Sequence, residues 1–119
     1  MGVWMIATGK LKIFPTPDET CIEAYIGFSK RVNPYEKMYE YFPNPWFFDE
    51  DNNLQCRAGK CAEPSMWLEY VENFFIAQGY KVEKEIKFIG EGEIPDFWAV
   101  SDEQDMKYLA WRQRMETNK

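Results

Sequence analysis

The segment SMWLEYVENFFIAQGYKVEKEIKFIG, residues 65–90, decides the fold, because its hydrophobic period changes from helical to strand-like across a single glycine. Trp67, Tyr70, Val71, Phe74 and Gln78 follow the i, i+3, i+4, i+7 spacing that sets side chains on one helix face, and Phe75 and Ala77 widen the apolar stripe. Such a face has to be buried, so Phe74→Ala is expected to cost about 3–5 kcal/mol. Pro64 suits the first helical position, where its missing N–H is not needed. Gly79 can take the left-handed conformation that ends a helix, with Tyr80 packing back. From there Tyr80, Val82, Ile86 and Phe88 alternate with Lys81, Glu83, Glu85 and Lys87, the period of a strand with one wet face. Lys84 is the lone charge on the apolar side, which leaves either a bulge there or a role that the pattern does not reveal.

Upstream, Val3, Met5, Ala7, Gly9, Leu11 and Ile13 share one parity and mark a first strand, with Gly9 a candidate bulge. Thr16, Pro17 and Glu19 have the spacing of a capping box with proline at the first position, and predict a helix to about Arg31. Its apolar side is Cys21, Ile22, Tyr25, Ile26 and Phe28. Residues 33–45, NPYEKMYEYFPNP, are bracketed by Asn-Pro pairs and predict a long ordered loop. Residues 46–48 and 54–56 predict two short strands around the polar turn DEDNN. Downstream, residues 91–96 predict a turn, residues 97–100 a fifth strand, and residues 102–116 a closing helix capped by Ser101 and Gln104. The expected order is strand-helix-strand-strand-helix-strand-strand-helix. It predicts an α+β, two-layer sandwich in one domain over residues 1–119, a mostly antiparallel sheet of about five strands with helices on one face.

Composition narrows the function classes. At 119 residues the chain can bury a sizeable core, and with 18% aromatic residues that core is expected to be built from large rings. Three cysteines, an odd number, and no early apolar run of signal-peptide length predict a reducing, cytoplasmic setting. No run is long and apolar enough for a membrane span. Fourteen basic against twenty acidic residues give a net charge of −6, which disfavours direct binding to nucleic acid or anionic lipid and favours a basic partner.

Trp67, Leu68, Glu69, Tyr70, Phe74 and Phe75, then Gly79, Tyr80, Val82, Glu85, Ile86, Gly90 and Glu91, resemble a group of small uncharacterised proteins of Gram-positive bacteria and their phages. In these a WLEYLxxxFF helix precedes a GYxLxGExxWxGE strand. Trp4, Met5, Ala7, Gly9, Leu11 and Ile13 are similar to that group's N-terminus. The likeness covers about a third of the chain. Lys84 replaces a usual glycine, Phe88 a common tryptophan, and residues 32–62 have no counterpart. The resemblance implies a phage or mobile-element origin and carries over no activity and no site.

Histidine is absent, which removes the commonest general base and metal ligand, and no GxSxG, P-loop or GxGxxG pattern occurs. GEGE at residues 90–93 lacks the lysine of a phosphate loop, and its glutamates repel phosphate. Cys56 and Cys61, with four residues between them, and the remote Cys21 make a poor zinc set, although Arg57 and Lys60 could activate a neighbouring thiol. No cofactor or metal is therefore expected, and an enzyme is disfavoured. Carboxylate pairs such as Glu91 with Glu93 or Asp49 with Asp51 keep a small hydrolase or small-molecule binder open as an alternative.

Two surfaces stand out as partner-binding candidates. One is aromatic: Tyr35, Tyr39, Tyr41, Phe42 and Trp46, with almost no basic residue nearby, suit a protein partner better than stacked bases. The other is acidic: Glu91, Glu93, Asp96, Asp102, Glu103 and Asp105 lie between residues 88 and 106 with no Lys or Arg among them. Carboxylates presented in this way can occupy a groove built for phosphates. The expectation is a non-enzymatic interaction protein that inhibits or modulates a host nucleic-acid-handling protein, in the anti-defence or anti-CRISPR manner. A homodimer and a role in virion or operon assembly stay open.

Overall fold

The computed structural model describes residues 5–34, 43–57 and 64–117. The elements are β1 (Met5–Phe14), α1 (Glu19–Arg31), β2 (Trp46–Phe48), β3 (Leu54–Cys56), α2 (Pro64–Ala77), β4 (Lys81–Gly90) and α3 (Phe97–Thr117). The strands form one antiparallel sheet in the order β2-β3-β1-β4. The α+β class and the early hairpin are as the patterning predicts. The sheet has four described strands rather than five, because residues 97–100 form the first turn of α3. There the Val100 N–H donates to the Asp96 carbonyl, and Gly92, at a φ of 91°, turns the chain off β4 before Pro95 and Asp96 start the helix. A run of four apolar residues reads equally well as strand or helix, and long-range packing decides.

Strand alternation explains how the helices are distributed. Ala7, Leu11 and Ile13 of β1, with Trp46, Phe48, Leu54 and Cys56, face α1 and α2, whose Cys21, Tyr25, Phe28, Trp67, Val71 and Phe75 complete the main core. This is the expected sandwich. The residues between them in sequence point the other way: Ile6 and its cross-strand partner Ile89 pack under Phe97, and Phe47 meets the rings of Tyr108 and Trp111. The third helix thus crosses the opposite face of the sheet instead of joining the other two. Its inner positions, Phe97, Ser101, Gln104, Tyr108 and Trp111, have 3–4-residue spacing. Ser101 is buried inside the helix rather than capping it, and the Gln104 side chain donates to the Ala7 carbonyl at 2.8 Å.

Two other details differ from expectation for local reasons. Asp18, not Thr16, caps α1: its carboxylate accepts from the Cys21 N–H at 2.8 Å, and its carbonyl accepts from Ile22. The buried stripe of α2 is Trp67, Val71 and Phe75, spaced i, i+4, i+8, while Tyr70 is 42% exposed and Gln78 and Ala77 face solvent. The face is rotated by about one residue from the one that apolar counting picks out.

The end of α2 is as predicted. Gly79 has a φ of 91°, its N–H donates to Ile76, and the Tyr80 N–H donates to Phe75, the paired bonds of a Schellman motif. Tyr80 and Phe75 complete it with an edge contact, centroids 6.0 Å apart. No atom crowds a Cβ at Gly79, so the cost of substitution is conformational. Gly79→Val is expected to lose about 1–2 kcal/mol in urea unfolding, more than a mid-helix glycine effect.

Lys84 causes no bulge. The β1–β4 register runs unbroken from Met5 opposite Gly90 to Phe14 opposite Lys81. On the helix-covered side, Lys84 reaches over the sheet edge to Glu72 of α2 at 3.5 Å. Gly9 likewise sits in continuous register, at a φ of 87°.

Candidate functional site

The six carboxylates of the acidic stretch lie on the turn after β4 and the first half of α3, and the structure divides them. Asp105 is half-buried and bonded by the Arg57 Nε at 3.1 Å, and that guanidinium also stacks over the Tyr108 ring at 4.6 Å. Glu93 folds back to accept the Gly90 N–H, closing its own turn. Glu103 forms an exposed i, i+4 pair with Lys107 at 3.3 Å. Glu91, Asp96 and Asp102 are exposed, and among the described residues no cation pairs with them. The acidic stretch is therefore part scaffold and part open surface.

The helical form of residues 97–100 adds to this surface something the sequence reading did not place. On an α-helix Trp98, Asp102, Met106 and Leu109 lie on one side, opposite the inner row of Phe97, Ser101, Gln104 and Tyr108. Trp98 is 48% exposed, Met106 70% and Leu109 51%. An apolar helix face with a carboxylate in its middle thus borders the exposed acids. Its signal in the sequence is the 4-4-3 spacing of those residues, which a strand over residues 97–100 obscures.

Of the aromatic candidates, Tyr35, Tyr39, Tyr41 and Phe42 fall outside the described residues. Trp46 is in the main core at 1% exposure. It belongs to a buried polar hub: the Tyr25 hydroxyl donates to the Trp46 carbonyl at 2.8 Å, and Asn44 Nδ2 donates to the Tyr25 hydroxyl and to Ser29 Oγ, each at 2.8 Å. The Trp46 N–H donates to Asn44 Oδ1 at 3.0 Å, and Ser29 Oγ donates to the Tyr25 carbonyl at 3.0 Å. Burial pushes the Tyr25 hydroxyl well above its ordinary pKa, so it stays a neutral donor. The hub fixes the chain entering β2 onto α1, and its polar atoms satisfy one another away from water.

The Cys56 thiol is not activated. Cys21 and Cys56 are both buried, and burial first, then the Asp105 carboxylate, pushes the Cys56 thiol up rather than down despite the adjacent Arg57. Cys61 lies outside the described residues. Among the described residues no three acidic, Cys or His side chains converge to hold a metal.

A cleft of 630 Å³ opens between the β2–β3 turn and the second half of α3, with Lys10, Asp49, Glu50, Lys107 and Arg114 around Phe47. Asp49 looks available in sequence but is used internally. Its Oδ1 accepts from the N–H groups of Asp51 and Asn53, at 2.9 and 3.1 Å, and its Oδ2 from Gln55 at 2.8 Å, with Lys10 at 3.8 Å. That leaves Asp49 the organiser of the hairpin turn, where Asn52 takes a positive φ of 59°. Glu50 and Asp51 project beyond it into solvent.

No protein-family model, curated protein or solved structure matches the chain. Among the described residues no helix is long and apolar enough to cross a membrane.

Proposed function

We propose that this chain is an interaction protein that engages a basic, nucleic-acid-handling partner through the acidic side formed by the β4–α3 turn and the start of α3, and so inhibits or modulates it. The observation that carries the reading is the group Glu91, Asp96 and Asp102: three exposed carboxylates that pair with no cation among the described residues, beside an apolar helix face. Unneutralised carboxylates raise the negative potential that a phosphate-binding groove attracts, and exposed Trp and Met are side chains enriched where protein partners meet. A phage or mobile-element origin, with a host defence nuclease as partner, extends the reading along the resemblance to phage proteins.

The test is affinity capture from the bacterial host by the wild-type chain and by the triple variant Glu91→Gln, Asp96→Asn, Asp102→Asn, followed by titration of the captured protein. This set avoids Glu93 and Asp105, which hold the turn and Arg57. Three exposed charges at about 0.5 kcal/mol each predict about a tenfold weaker complex and a shallower salt dependence. Equal affinity for both forms across a salt titration sinks the reading.

A second reading, a small-molecule binder, is favoured by the cleft around Phe47, where cationic and anionic side chains face each other across an aromatic floor. Protection of the Lys107 and Gln113 amides by a small zwitterionic ligand, unchanged in the triple variant, would support it over the first.

A further inference from the structure

We propose that the free edge of β4 pairs antiparallel with the β4 of a second copy of this chain, in one register, to make a continuous sheet through a twofold axis at Ile86. Among the described strands β4 is the terminal one of the sheet. All ten of its residues pair with β1 on one side, and among the described residues no strand pairs with it on the other. Such an edge is a row of unsatisfied backbone donors and acceptors, which proteins normally shorten, bend, or block with charges that repel a second strand. This edge is long and in unbroken register, and it carries both signs: Lys81, Glu83, Lys84, Glu85 and Lys87. Whether those charges block or guide a second copy depends on what each register sets opposite what.

A twofold axis perpendicular to the sheet keeps each residue on its own face, so only residues of equal parity can stand opposite each other. Centring the pair on Lys84, Glu85 or Lys87 sets that residue against its own copy, a like-charge contact on the axis. With the axis at Ile86, no like charges meet. Glu85 faces Lys87 of the second copy and Lys87 faces its Glu85. On the helix-covered side Ile86 meets Ile86, and Lys84 lies across from the exposed ring of Phe88. Just past the strand, Lys81 stands opposite Glu91. The Glu85 carboxylate is already oriented by Lys12, at 2.9 Å, and the Lys84 ammonium by Glu72. The pairing covers Phe88, one of the large apolar side chains the single chain leaves open. In this register the charges select a partner strand rather than repel it.

Sedimentation equilibrium over a concentration series reads the proposal directly. The wild-type chain is expected to move from monomer to dimer mass. Glu85→Lys and Lys87→Glu, each alone, set two like-charge pairs across the junction and are expected to weaken dimerisation about tenfold or more. An equimolar mixture of the two variants restores both opposite-charge pairs and is expected to form a heterodimer at wild-type concentrations. Because Lys87→Glu leaves the Lys12–Glu85 pair in place, a loss confined to Glu85→Lys reports on the monomer and counts against the register. A single species of monomer mass up to about 1 mM overturns the proposal. So does self-association that neither variant weakens, or that mixing fails to restore while circular dichroism shows both variants folded.

Discussion

Phe75→Ala is expected to lower the unfolding free energy by about 3–5 kcal/mol. Phe75 has 0% exposure in the main core, on the α2 face that meets both α1 and the sheet. Its ring stacks on Tyr25 at 5.4 Å and meets Phe48 edge-on at 6.0 Å, Phe74 at 5.0 Å and Tyr80 at 6.0 Å. Removing it leaves a void walled by rings that are held elsewhere: Tyr25 by the Asn44 hub and Tyr80 by the helix stop. Such walls cannot close in, so the cavity penalty adds to the lost transfer energy. Tyr70→Ala on the same helix is expected to cost under about 1 kcal/mol, because Tyr70 is 42% exposed. Phe74→Ala falls between, below the roughly 3–5 kcal/mol that the apolar stripe alone predicts, since that ring stacks on Phe28 at 4.7 Å but is only partly buried. Urea midpoints at constant slope check the order; equal losses for Phe75 and Tyr70 would mean that the helix buries a different face.

The same three residues show how far the sequence can be read. That residues 65–77 form a helix, and that Gly79 stops it, follows from local spacing and chain chirality, which act within a few residues. Which face is buried does not follow. Tyr70 and Phe75 both extend the apolar stripe, and only the position of α1, with Tyr25 and Phe28, selects between them. The Trp46–Phe48 and Leu54–Cys56 hairpin was legible because five polar residues stand between an apolar triplet and the alternating Leu54, Gln55 and Cys56. The role of Asn44 was not: in sequence Asn-Pro reads as a turn, and its bonds go to Ser29 and Tyr25, 15 and 19 residues away. The acidic stretch behaves in the same way. Its exposure could be foreseen from composition, but the neutralisation of Asp105 by Arg57 spans 48 residues. The apolar outer face of α3 needed the helix to begin at Phe97.

Gly9→Ala is expected to cost about 2–6 kcal/mol, although it adds only one methyl group. Two terms combine. Gly9 has a φ of 87°, where an L side chain costs about 1–3 kcal/mol. A Cβ there would also stand 1.9 Å from the Glu85 carbonyl oxygen of the neighbouring strand, so backbone, not a flexible side chain, would have to move. Overpacking of that kind adds about 1–3 kcal/mol. The strand that must yield is β4, which pairs only with β1 among the described strands, so the displacement has a direction: β4 shifts away around Ile86 while β2, β3 and the Tyr25 hub keep their places. Amide hydrogen exchange tests this beyond the loss of stability. Faster exchange is expected at residues 83–87 and in the facing half of β1, with the amides of Trp46 and Cys56 protected as before once the global loss is subtracted. Gly79→Ala is the control: its φ is also positive, but no atom lies near the added Cβ. If the two alanine variants lose the same stability, the close approach of the Glu85 carbonyl contributes nothing, and only the backbone conformation at Gly9 requires glycine.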